Sequence, residues 1–279
     1  MKKIYRIFLV FLLIIALTSC GSDKKASEEN LKQNQTGQES SQKSNTKSGV
    51  GTKEEKSGTE NKSDDETEKF EKKDLSKVID DLLKASSSLK SFHSQSIFTI
   101  NNNNVVRTQV FEGEGEFDPK TGDVLNGNYQ ITNSDGTYKK VEFVGDIDKT
   151  MNLEEKDTGG NITTTVENNV NYFINPNYFD LVKVIDSMKD DLVLEDSESS
   201  YKLSLKSNNT DIFGLFKDQY SLEFNNFTQD ETKKEFEVII DKKTNLLTDI
   251  KFSFELNDNA KGHVFLGIES GYNNFEFKK

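Results

Sequence analysis

The 279-residue chain is poor in several features that would settle its class at once. A single cysteine excludes a disulfide scaffold and a cysteine-built zinc site. Two histidines cannot form a three-histidine metal centre, and no cofactor motif such as a glycine-rich phosphate loop is present. Tryptophan is absent and proline occurs twice. Only 33% of the residues are apolar, which implies that part of the chain does not fold. Basic residues are in the minority, 36 against 48 acidic, and this balance argues against a nucleic-acid partner. Long hydrophobic runs are nearly absent too. The exception, residues 7–17, is shorter than the roughly 20 residues a membrane-spanning helix needs.

That run follows Lys2, Lys3 and Arg6, which makes it the apolar core of a secretory signal. Leu17, Thr18, Ser19 and Cys20 follow directly. The quartet resembles the lipobox of bacterial lipoproteins: an aliphatic residue, two small residues, then cysteine. The resemblance implies a signal peptide over 1–19, cleavage before Cys20, and a diacylglyceryl group on the Cys20 thiol. Small residues give a peptidase access, only a thiol forms the thioether, and two acyl chains suffice for stable anchoring. An ordinary signal with an unused cysteine is the competing reading. With the lipobox, the protein belongs on the extracellular face of the cell membrane, partnered to the lipid through Cys20.

Residues 20–70 show no apolar periodicity, and Leu31 and Val50 are nearly their only aliphatics. They read as a disordered tether, with a random-coil reach of roughly 40 Å. Residues 21–70 hold nine lysines against eleven acidic residues. With the signal's +3 also removed, residues 71–279 carry −13. The acidity belongs to the folding part.

Over 71–92 the spacing of Leu75, Val78, Ile79, Leu82, Leu83, Ser86 and Leu89 predicts an amphipathic helix. Beyond Phe92 the period changes to two. Strand faces follow: Phe111, Gly113, Gly115, Phe117; then Leu125, Gly127, Tyr129, Ile131; then Val141, Phe143, Gly145, Ile147. A polar hairpin is expected around Gly159 and Gly160. Pro176 opens a second helix with Phe179, Val182, Ile185, Met188 and Leu192 on its buried stripe. One helical turn is expected over 211–216, and Leu222 and Phe224 begin another strand. Further alternating runs fill the rest. Two turns read alike, 118–122 and 241–245, each led by Asp and ending in a residue that tolerates a left-handed backbone. The expected class is α+β: a curved antiparallel sheet covered by two or more helices.

The stretch Leu89-Lys90-Ser91-Phe92-His93 passes from helix into strand, and the late hairpin reads Phe236-Glu-Val-Ile-Ile-Asp241-Lys-Lys-Thr244-Asn-Leu-Leu. Together they resemble the lipoprotein-carrier fold of the LolA and LppX type, over roughly residues 70–279. Gram-positive lipoproteins share the layout. The resemblance implies a half-barrel whose concave apolar face, lidded by helices, holds acyl chains, hence a non-enzymatic lipid-binding protein.

Glycines at inward parity, Gly113, Gly115, Gly127 and Gly145, have two readings. They leave a cavity for an apolar ligand, bordered by Leu82 and Phe143, or they let the strands bend. A second function class is a surface module for a protein or wall-polymer partner, using the acidic surface or a strand edge. His93 and His263 lie in strand-like segments without a nucleophile motif, so catalysis is the weakest reading.

Overall fold

The computed structural model describes residues 74–118, 120–145, 148–172, 174–222, 227–259 and 262–277. The signal, Leu17, Thr18, Ser19, Cys20 and the tether lie outside these residues, as do Ile147 and Phe224.

Helix α1 (Leu75–Ser86) is capped by Asp74, whose carboxylate accepts from the Ser76 amide. It turns Val78, Ile79 and Leu82 into the core. The helix stops earlier than its periodicity predicts. Ser87 and Ser88 hydroxyls donate to the Lys84 and Ala85 carbonyls, a side-chain alternative to the helical ladder. Leu89 and Phe92 then belong to strand β1 (Leu89–Asn102).

β1 pairs with β2 (Val105–Phe117), which is followed by β3 (Val124–Asn133), β4 (Tyr138–Val144), β5 (Thr150–Lys156) and β6 (Ile162–Glu167). Then come α2 (Tyr178–Ser187), β7 (Leu192–Asp196), β8 (Ser200–Leu205), α3 (Ile212–Tyr220), β9 (Lys233–Asp241), β10 (Leu247–Asp258) and β11 (Gly262–Phe277). The eleven strands form one open antiparallel sheet in the order β6-β5-β4-β3-β2-β1-β11-β10-β9-β8-β7. Two meanders therefore meet where the first strand pairs with the last. The class is α+β, with three helices among the described residues.

One face of the sheet is covered. Tyr178 and Phe179 of α2 pack on Phe92. Phe216 and Tyr220 of α3 pack on Phe252, and Tyr220 also meets Phe98. The N-terminal meander is covered partly by the irregular segment after β6, whose Val170, Tyr172 and Ile174 are buried. Tyr172 stacks on Phe143 with centroids 5.6 Å apart.

Four sequence expectations change. Pro176 precedes the helix rather than lying in its first turn; Asn177 is the cap and accepts from the Phe179 and Asp180 amides. Leu192 begins β7 instead of extending α2. The helix expected over 211–216 runs on to Tyr220. A register shift between Glu116 and Phe117 sets Phe117 opposite Val124, so Val124 is buried and Leu125 exposed. The two look-alike turns do match. Gly122 donates to the Asp118 carbonyl at 2.7 Å, and Asn245 to that of Asp241 at 2.8 Å. Gly122 and Asn245 both have positive φ. The start of α2 ties to both: the Asn177 side-chain amide donates to the Gly122 carbonyl, and the Leu247 backbone amide donates to the Tyr178 hydroxyl.

Candidate functional site

Alternation places every second residue of β1–β6 on the face opposite the helices. There the strands form a trough of about 770 Å³, next to a smaller hollow of about 440 Å³; both are lined by His93, Glu114, Asn128 and Glu142. Cross-strand register builds it. One row runs His93, Glu114, Asn128, Glu142, Asn152, Val166, each directly opposite the next. A neighbouring row runs Gln95, Glu112, Gln130, Lys140, Glu154, Thr164.

Along the first row carboxylates and amides alternate, and each carboxylate accepts from one neighbouring amide. Asn128 donates to Glu114 at 3.2 Å and Asn152 to Glu142 at 3.1 Å. Asn126 donates to Glu116 at 3.2 Å. His93 Nε2 lies 3.4 Å from the Glu112 carboxylate. At the far side Glu154 accepts from the Tyr138 hydroxyl at 2.9 Å and meets Lys140 at 3.2 Å. These two donors, the hydroxyl first, hold the Glu154 carboxyl below its ordinary range. Lys90 and then Asn126 do the same for Glu116. Glu114 and Glu142 differ: among the described residues neither lies within ion-pair distance of a lysine or arginine. Their carboxylates are held by amide donors and not paired with a cation.

The sequence-predicted residues divide between the two faces. Gly113 floors the trough, and Gly115, Gly127 and Phe143 line the smaller hollow. On the covered side the space those glycines release is occupied by Tyr129. A Cβ on Gly113 would fall against the Tyr129 ring, one on Gly115 against its hydroxyl, and one on Gly127 would lie 3.0 Å from the ring. The Tyr129 hydroxyl is buried, has no hydrogen-bond partner among the described residues, and is pushed well above the ordinary tyrosine pKa by burial. Leu82 lies in the core between α1 and the sheet. Gly145 is exposed just beyond β4, its amide donating to the Asn126 side chain at 3.0 Å. His93 and His263 do not form a pair. His93 is opposite Asn273, ten residues along β11 from His263, about 33 Å at strand rise. Among the described residues no group of three or more His, Cys, Asp or Glu could hold a metal.

Sequence reasoning missed Glu114, Asn128, Glu142 and Asn152. Their signal was present in the outward parity, where Glu112, Glu114 and Glu116 share one face and Asn126, Asn128 and Gln130 the next.

No family model matches the chain, and no curated protein does. Distant likenesses to solved structures exist. MucB of Pseudomonas aeruginosa, solved in complex with MucA, is 12% identical with a TM-score of 0.27 over 74% of this chain. The match spans 58% of the MucB chain. A DUF1329 family protein from Desulfovibrio piger is 12% identical with a TM-score of 0.23, over 73% of this chain and 92% of that one. A LolA superfamily protein from Nitrosomonas europaea is 8% identical with a TM-score of 0.22, over 74% and 94%. Likeness this distant brings no function with it.

Proposed function

We propose that the chain is a non-enzymatic surface lipoprotein, anchored in the cell membrane through a diacylglyceryl group on Cys20 and carrying residues 71–279 on the tether 20–70. The folded part is a binding module, read as a half-barrel of the carrier type, and its working surface is the outer trough. The occupant that fits is a polar cationic segment of a surface protein, or a wall polymer bearing ammonium groups. One observation supports this above the others: Glu114 and Glu142 are held by Asn128 and Asn152 with their charge uncancelled inside a trough of about 770 Å³. That volume is in the range of ligand clefts. Carboxylate and amide oxygens in a row accept from ammonium groups, and a cleft lined by Glu112, Glu114, Glu142 and Glu154 against the single Lys140 steers a cation toward itself.

The hydrophobic-ligand reading belongs to the covered face. The buried, partnerless Tyr129 hydroxyl favours it. Holding such a group inside costs about 1–3 kcal/mol, so an apolar ligand that displaced the ring would recover that cost. It would lie against Gly113, Gly115, Gly127 and Phe143. Titrating the full chain with pentalysine and with a fluorescent sixteen-carbon fatty acid separates the two. We expect salt-sensitive pentalysine binding that weakens at least tenfold in Glu114→Gln/Glu142→Gln. Binding that ignores both carboxylates would sink the trough reading. Saturable fatty-acid binding strengthened by Tyr129→Ala would assign the covered face instead.

A further inference from the structure

The sheet has two edges, and they are built differently. β7 carries Glu195 and Asp196, charges that blunt an edge. β6 reads Ile162-Thr-Thr-Thr-Val166-Glu167, with no charge in its first five residues and β-branched side chains throughout them. Residues 162–166 are exposed, Ile162 at 58% and Val166 at 64%. Among the described residues β6 pairs only with β5.

The hydrogen-bond phase of that edge follows from the hairpin. The Asp157 amide donates to the Asn161 carbonyl at 3.0 Å. Antiparallel pairs alternate between bonded and non-bonded. Lys156 opposite Ile162 is therefore non-bonded, Glu155 opposite Thr163 bonded, and Glu154 opposite Thr164 non-bonded. Thr163 and Thr165 direct their amides and carbonyls to β5. Ile162, Thr164 and Val166 direct theirs outward, to the free edge.

We propose that β6 pairs with β6 of a second copy of this chain, antiparallel, about a two-fold axis through Thr164. In that register Thr164 faces its own equivalent, Thr163 faces Thr165, and Ile162 faces Val166. Each outward-directed residue meets another, so the backbone groups of 162, 164 and 166 are satisfied on both sides. The two most exposed apolar side chains of the strand cover each other. Asn161 and Glu167, the flanking positions, make an amide–carboxylate pair like those already lining the trough. The strand is thus self-complementary under the two-fold operation, as an isologous interface requires. Pairing also continues the trough: Val166 ends the row that begins at His93, and the partner's Ile162 comes next along it. Five paired strand residues per copy make a weak dimer in dilute solution. Two copies tethered to one membrane meet at a much higher effective concentration. The pairing is independent of what fills the trough.

Disulfide trapping in the full chain, in detergent and with Cys20→Ser, tests this. A hydrogen-bonded antiparallel pair sets Cα atoms about 5.5 Å apart, within disulfide range. Thr164→Cys is expected to form a covalent dimer at least tenfold faster than Thr158→Cys at the exposed hairpin tip. Differently tagged Thr164→Lys and Thr164→Glu chains should co-capture each other and not themselves, because the two-fold axis brings like charges together in each homodimer. Thr164→Pro removes only an outward amide, so far-ultraviolet circular dichroism should be unchanged while the unlabelled chain loses self-association. Equal trapping rates at 164 and 158, or no preference in the Lys/Glu mixture, would overturn the pairing.

Discussion

Replacing Gly115 by alanine would set a methyl group against the Tyr129 hydroxyl, and the structure says how that strain can be removed. The Cβ would meet that hydroxyl first and then the Phe117 ring at 3.1 Å. Overpacking of this kind costs about 1–3 kcal/mol. It is offset in part because alanine suits a strand interior better than glycine by about 0.5–1 kcal/mol. We expect Gly115→Ala to lose about 1–2 kcal/mol. Tyr129→Phe deletes the clashing oxygen and also a buried hydroxyl without a partner, so alone it should be neutral or stabilising by about 1 kcal/mol. In the Tyr129→Phe background Gly115→Ala should cost little, giving a coupling of about 1–2 kcal/mol. Gly113→Ala is the control. Its Cβ would also lie 2.5 Å from the Asn128 carbonyl, a backbone atom that Tyr129→Phe does not move. Urea unfolding followed by circular dichroism reads the series. At a slope of about 2 kcal/mol/M the midpoint for Gly115→Ala falls by about 0.5–1 M. An equal fall in both backgrounds, or rescue of Gly113→Ala as well, would refute the idea that Tyr129 fills the space these glycines leave.

Asn177→Ala removes the cap of α2 and leaves the Gly122 carbonyl without its donor; a loss of about 1–2 kcal/mol is expected in the same unfolding assay. An unchanged midpoint would mean that α2 is held by packing alone. Tyr129, Tyr172, Tyr178, Tyr220 and Tyr272 all have hydroxyls pushed up by burial. Their neutral forms are favoured in the fold, so this contribution is intact below the ordinary tyrosine value near 10 and is lost as pH rises above it. Ultraviolet titration should therefore show these five ionising together with alkaline unfolding. Ionisation of all tyrosines near pH 10 with the fold retained would contradict their burial.

The sheet's strand faces were legible because one-sided burial enforces strict alternation, as in Phe236, Val238 and Ile240. Misreadings fell where local chemistry interrupts a period. Ser86, Ser87 and Ser88 end α1 although Leu89 continues its spacing. The register shift at Phe117 exchanges Leu125 for Val124 at the core. Gly214 shortened the expected α3 to one turn, since glycine inside a short helix weakens its pattern; here the Gly214 amide bonds the Asp211 side chain at 2.6 Å. The cover over the N-terminal meander was invisible, because Val170, Tyr172 and Ile174 lie on an extended segment that sheet pairing does not mark. The parity of Gly113, Gly115 and Gly127 was readable in the alternation, but only side-chain packing reveals that Tyr129 lies across them. The trough was missed because a row of outward Glu, Asn and Gln reads as ordinary solvated surface until register aligns it across six strands.

The two halves of the outer face obey one register rule with different chemistry. On the C-terminal meander Glu269 lies opposite Lys251, and Lys251 opposite Glu237. Lys251 meets Glu269 at 2.7 Å, and Lys202 meets Glu237 at 2.5 Å. Charges there cancel in pairs. On the N-terminal meander two carboxylates take an amide instead, Glu114 from Asn128 and Glu142 from Asn152, while Glu116, Glu154 and Glu155 meet lysines. Exposed pairs of either kind contribute little to stability, so folding does not explain the choice. An amide orients a carboxylate without neutralising it. A lysine in the same place would erase the field. Placing lysine at Asn128 and Asn152 should therefore leave unfolding midpoints nearly unchanged while abolishing attraction for pentalysine. If binding survived that exchange, the trough's charge would not be what recruits a partner.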